Sequence, residues 1–145
     1  MTAPPRPFRV LMIWPRFPES FWSMQATIEA VGRKATLPPL GLITVAALCP
    51  PHWEIRLIDE AVEPISDEAI LEAELVMISA MIIQREAVDR ILARCRQLGR
   101  TTVIGGPYAS SHTQDLLKKA DHVVCGEVDE GFLDIASAPE DGKAE

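Results

Sequence analysis

The chain has 145 residues, of which 48% are hydrophobic and 24% charged, with a formal net charge of −7. That length and balance fit one globular domain with a core of its own and exclude a disordered, solvating chain. The acidic balance argues against nucleic acid as a partner, since binding a phosphate backbone relies on clustered Lys and Arg, and the apolar runs, such as 75–83, are too short to span a bilayer.

Residues 8–14 form a short apolar run closed by Pro15 and are expected to make a first, buried strand. No signal-peptide core or cleavage site follows it, so a cytoplasmic location is expected. A loop rich in Pro and aromatics comes next (Pro15, Phe17, Pro18, Phe21, Trp22). Pro38 and Pro39 are then placed in the first turn of a helix that continues through 42–48 and ends at Pro50-Pro51. Residues 53–59 alternate apolar and charged side chains as a second strand. Asp67 is the expected N-cap of a short helix.

The run 75–79 is wholly apolar until Ser79, the pattern of a central strand buried on both faces. From 84 to 98, Val88, Ile91, Leu92 and Cys95 recur at three- and four-residue spacing, which predicts an amphipathic helix stopped by Gly99. A fourth strand at 101–104 runs into Gly105-Gly106-Pro107. A helix is expected within 113–120 and a fifth strand at 122–126. Strands alternating with helices imply right-handed crossovers, and so a five-stranded, parallel, doubly wound α/β fold of Rossmann-like or flavodoxin-like type. Residues 1–136 are expected to form this domain, with 137–145 as a fraying tail.

In such a sheet the ligand binds outside the carboxyl ends of the strands. The exits to search are therefore 15–22, Asp59-Glu60, Ser79-Ala80-Met81, Gly105-Gly106-Pro107-Tyr108 and Gly126-Glu127. Gly105 and Gly106 suit close approach of a ligand to the backbone, or a plain strand-to-helix turn. Ser79 could cap the next segment or bond a ligand. Asp59 and Glu60 point opposite ways on an extended chain and read as a solvated acidic turn rather than a general acid/base pair.

Met81, Ile82, Ile83, Phe17, Phe21, Trp22 and Tyr108 are apolar for strand-exit loops. They read as core lids or as the wall of a pocket for a large flat ligand. His52 and His122 fall at the amino edge, and His112 lacks an obvious partner to orient it, so no metal ligand is nominated. Cys49, Cys95 and Cys125 lie far apart and read as small buried hydrophobes, without a disulfide or iron–sulfur pattern. No phosphate loop, GxGxxG or nucleophile elbow is present, and no catalytic residue is nominated.

Ser79-Ala80-Met81 and Gly105-Gly106 resemble the Ser-x-Leu and Gly-Gly signatures of cobalamin-binding domains. The order of Trp14-Pro15-Arg16-Phe17-Pro18-Glu19-Ser20-Phe21-Trp22, Pro38-Pro39-Leu40-Gly41-Leu42, Ile78-Ser79-Ala80-Met81-Ile82-Ile83-Gln84 and Gly105-Gly106-Pro107-Tyr108 is similar to the amino-terminal domain of cobalamin-dependent radical S-adenosylmethionine enzymes. The resemblance covers nearly the whole chain to about Glu127. It implies a corrinoid cofactor contacted by Ser79, Met81, Gln84, Gly105, Gly106, Pro107, Tyr108, Gly126 and Glu127, with Pro39, Leu40 and Gly41 packed near the ring.

Two departures qualify it. The Asp-x-His-x-x-Gly motif is absent, which implies a base-off corrinoid with no histidine from the protein on cobalt. The Cys-x-x-x-Cys-x-x-Cys triad of the radical barrel is also absent, so no iron–sulfur cluster is expected on this chain. A free-standing carrier, a split protein or a truncated gene is then expected, serving a radical methyltransferase barrel as partner. The alternative is a ligand-free flavodoxin-like domain working through protein contacts. A flavin or nucleotide enzyme is disfavoured by the missing phosphate loop.

Overall fold

The computed structural model describes residues 6–20, 25–34 and 38–128. Expectations for Phe21, Trp22 and the segment 129–145 fall outside these residues. Five strands, β1 (Phe8–Trp14), β2 (Trp53–Asp59), β3 (Leu75–Ser79), β4 (Thr101–Gly105) and β5 (His122–Val123), form one parallel sheet in the order β2-β1-β3-β4-β5. This is a doubly wound fold with its switch in strand order between β1 and β3.

Side chains alternate across each strand, and this divides the core in two. Leu11, Ile13, Val76, Ile78 and Ile104 point to one face, where α3 (Asp67–Glu72), α4 (Arg85–Gln97), α5 (Pro107–Ser111) and α6 (Thr113–Leu116) bury Ile70, Ile91, Leu92, Tyr108 and Leu116 against them. Val10, Met12, Leu75, Met77 and Val103 point to the other. There α2 (Leu40–Leu48) contributes Leu42 as its buried residue, and Trp53 closes the edge.

The longest helix behaves as its periodicity predicts. Val88, Ile91, Leu92 and Cys95 of α4 are all buried. It ends in a Schellman arrangement, with Gly99 N–H donating to the Arg96 carbonyl and Arg100 N–H to that of Cys95, while Gly99 adopts φ 67°.

Several local expectations are corrected. Pro38 and Pro39 precede α2 rather than occupying its first turn, and Pro39 is the N-cap residue, with ψ 73°. Ser66, not Asp67, caps α3: its Oγ accepts from Ala69 N–H at 3.1 Å. Asp67 enters the first turn instead, where a carboxylate complements the helix dipole and pairs with Arg94. Two short helices, α1 (Gln25–Ala30) and α5, appear where loop and turn were expected. β5 stops at Val123, and a single further ladder bond, Val124 N–H to the Ile104 carbonyl, extends it before Gly126 turns at φ 80°. Of the cysteines only Cys95 is fully buried; Cys49 is half-buried and Cys125 exposed.

Candidate functional site

Between α2 and the carboxyl ends of β3, β4 and β5 lies a cavity of about 370 Å³, within the usual range of small-molecule sites. The strand register builds its floor. Ser79 pairs with Gly105 and Met77 with Val103, and all four face the α2 side of the sheet. From α2, Gly41, Thr44 and Val45 complete one wall at helical spacing, while Val124, Gly126, Glu127 and Val128 complete the other.

The two glycines at the end of β4 do different work. Gly105 leaves space: a Cβ there would meet Val124 at an ordinary 3.8 Å. Gly106 is required by its backbone, at φ 87° and ψ −174°, a conformation open essentially to glycine alone. A Cβ on Gly106 would also lie 2.7 Å from Ser79 Oγ and 3.1 Å from the Ala80 carbonyl oxygen. The β3 and β4 exits thus touch, and Tyr108 N–H donates to the Ala80 carbonyl at 3.0 Å to hold them there.

Polar groups on the cavity wall are few. Thr44 Oγ1 donates back to the Leu40 carbonyl at 2.9 Å. Val124 N–H is used by Ile104, and Gly126 N–H donates to Ser110 Oγ at 2.9 Å. Ser79 Oγ makes no hydrogen bond among the described residues, so a hydroxyl is left open beside the glycine turn.

The other residues nominated from sequence do not line this cavity, and Gln84 lines the larger groove described below instead. Gln84 is 1% exposed. Its Oε1 accepts from Met81 N–H at 2.8 Å and its Nε2 donates to the Pro15 carbonyl, so it ties the β3 exit to the β1 exit. Tyr108 is buried on the opposite face of the sheet, its ring tilted against His112 at 5.4 Å. Met81, Leu40 and Pro107 are exposed, and Pro39 is buried at the start of α2. Sequence reasoning missed Thr44, Val45, Met77 and Val103. Counting back two residues from Ser79 and Gly105 along their strands would have found the latter pair.

A larger, open groove of about 780 Å³ lies over Arg16, Phe17, Ile82, Ile83 and Arg85, beside the β1 exit. Charged side chains rim it, and it touches neither Ser79 nor the glycine turn. Glu60 lies at its edge and corrects the expectation of a merely solvated acidic turn. Its side chain is 11% exposed, accepts from Arg16 N–H at 3.0 Å and pairs with Arg90, while Asp59 Oδ1 caps the turn through Ala61 N–H.

No histidine lines the cavity. His112 Nδ1 contacts Ser111 Oγ at 2.8 Å, and His122 begins β5 at the amino edge. Among the described residues no group of three or more His, Cys, Asp or Glu side chains is placed to hold a metal ion, and no helix is long and apolar enough to cross a membrane.

The family model for the B12 binding domain matches residues 28–136, three-quarters of the chain. The chain belongs to the B12-binding domain family. Cobalamin is its cofactor. The cavity suits part of that ligand: an apolar slot walled by glycine at the strand ends accepts a flat heterocycle, and the large corrin ring would have to rest outside it.

The chain is 44% identical over 103 residues to an uncharacterized methyltransferase of Synechocystis and 30% identical over 121 residues to the hopanoid C-2 methylase of Rhodopseudomonas palustris. These alignments cover 71% and 83% of this B12-binding domain but only 19% and 23% of the two relatives. It therefore spans about a fifth of the curated proteins that it matches.

Proposed function

We propose that this domain holds cobalamin by its nucleotide tail in the cavity beneath α2 and presents the corrin to a radical S-adenosylmethionine methyltransferase barrel. The observation that carries this reading is the unpaired Ser79 hydroxyl beside Gly105 and Gly106, at the mouth of an apolar slot on the carboxyl edge of the sheet. Gly41, Ser79, Gly105, Gly106, Gly126 and Glu127 serve the tail. Leu40, Met81 and Pro107, exposed around the rim, meet the ring, and Pro39, Gln84 and Tyr108 act by fixing the loops on which those contacts stand.

The bound corrinoid supplies methyl-carrying chemistry, and this chain contributes binding and orientation rather than a catalytic group. Because the sequence lacks Asp-x-His-x-x-Gly, the tail on this reading is held base-off and cobalt receives no imidazole from the protein. The methyltransferase and methylase names of the relatives support a methyl-transferring partner, whether joined to this domain or separate from it. A reducing cytoplasm suits the exposed free thiol of Cys125.

Titrating the full chain with hydroxocobalamin is expected to shift the visible spectrum and to carry the colour with the protein through gel filtration. A chain that leaves the column colourless, with an unchanged spectrum, would defeat the proposal. Paramagnetic resonance of the cob(II)alamin complex checks the axial claim. Superhyperfine splitting from a protein nitrogen would refute it.

A further inference from the structure

Corrinoids differ in the base that ends the nucleotide tail: some carry an apolar dimethylated benzimidazole, others a purine such as adenine. We infer that the cavity under α2 selects the benzimidazole-bearing class and discriminates against purine tails. The inference rests on the corrinoid reading above and goes beyond it, from the cofactor to the variant of it that this chain accepts.

The larger apolar side chains lining the cavity include Leu42, Val45, Met77, Val103, Val124 and Val128. A purine brings an exocyclic amine and several ring nitrogens, each of which loses a water partner on burial and needs a replacement. Among the described residues the wall's side chains supply one unengaged hydroxyl, that of Ser79. Thr44 already spends its proton on the Leu40 carbonyl, and the Val124 and Gly126 amides are committed to Ile104 and Ser110. Glu127, exposed at the mouth, can accept but not donate when ionised. A ring nitrogen therefore finds few side-chain donors among the described residues, whereas two methyl groups on a carbocyclic edge find valine and methionine.

The comparison uses dicyano corrinoids, in which the base is already detached from cobalt, so the affinity ratio reads the cavity and not the cost of freeing the base. Titrations of the full chain with the benzimidazole form, the adenine form and tail-less cobinamide are followed by absorbance. The benzimidazole form is expected to bind at least about tenfold more tightly than the adenine form, the range in which an unmet polar group shows. Cobinamide is expected to bind more weakly still.

Equal affinity for the two tailed forms, or tighter binding of the adenine form, overturns the inference while leaving corrinoid binding intact. Cobinamide binding as tightly as the benzimidazole form also overturns it, by removing the tail from the cavity. If none of the three binds, the corrinoid reading itself falls. A second variant places the preference on the wall: Val124→Thr, a near-isosteric change at a half-buried position, adds a donor and should narrow the ratio about threefold with an unchanged thermal midpoint. A ratio that stays put in that folded variant counts against the wall as the reader.

Discussion

The two faces of the sheet are finished to different degrees. On one, four helices close over Leu11, Ile13, Val76, Ile78 and Ile104, and side chains such as Ile70, Ile91 and Leu116 are wholly buried. On the other, α2 covers a smaller cluster, leaves the cavity beside it, and exposes Leu40 at 68%, Ile43 at 46% and Leu48 at 45%. A helix that is apolar on every side normally lies buried. On the function proposed above the open face takes the ligand, so stability and binding would be divided between opposite sides of one sheet.

The largest effect that tests this division is on the closed face. Ile91→Ala removes a side chain with 0% exposure and is expected to cost about 2–5 kcal/mol in urea unfolding. Corrinoid affinity of the molecules that remain folded should not change. Val45→Ala, on the open face and only half-buried, is expected to cost roughly 1 kcal/mol or less. Equal losses from the two would erase the distinction.

Gly106→Ala comes next and acts on both properties. Its φ of 87° strains any side chain, and a Cβ 2.7 Å from Ser79 Oγ must push that hydroxyl aside. A stability loss of about 1–3 kcal/mol is expected, together with loss of the spectral change on adding hydroxocobalamin. Gly105→Ala, whose Cβ meets only Val124 at 3.8 Å, should fold normally and weaken binding by narrowing the slot. If Gly105→Ala bound as the parent does, the floor of the cavity would not be where the tail rests.

Burial makes the closed face sensitive to alkali. It pushes the Cys95 thiol up from 9.0 to about 11, with Arg94 working against the shift and Asp121 adding to it. A folded-state value above the unfolded one means that the native state keeps its proton longer, so this contribution is complete below pH 9 and is lost as pH rises towards 11. The full shift corresponds to roughly 2–3 kcal/mol. The urea midpoint of the parent should therefore fall more steeply between pH 9 and 11 than that of Cys95→Ala. Parallel pH profiles would contradict it. Cys125, exposed, should be the first thiol to react with a thiol reagent near neutral pH.

How much of this was legible in the sequence follows from the periods involved. β3 and α4 were readable because a five-residue apolar run and a three-and-four spacing each have one sensible interpretation. The short helices were not: Pro107-Tyr108-Ala109-Ser110-Ser111 is one turn and a half, too brief to show a period, and its glycine-proline opening reads equally well as a turn. Ser79 and the glycine pair were visible as strand exits. Thr44 and Val45 were not, because only the packing of α2 across the sheet ends brings them to the cavity. Gln84 and Tyr108 belong to the same local motifs, yet tertiary bonds to Pro15 and Ala80, with a local one from Met81 to Gln84, turn them to holding loops together.

The smallest expected effect separates the two grooves. Arg90 on α4 pairs with Glu60 at 2.5 Å, and Glu60 also accepts from Arg16 N–H, so the pair ties the loop after β1 to the closed face. Arg90 is 48% exposed in its side chain, and ion pairs of that kind contribute about 1 kcal/mol or less. Arg90→Ala is expected to lower the thermal midpoint slightly, more at low salt than at high salt, because screening weakens what the pair contributes. Since Arg90 borders the larger groove and not the cavity beneath α2, cobalamin affinity should match the parent's. A marked fall in affinity would move the ligand to the groove over Arg16 and Ile83 and away from Ser79.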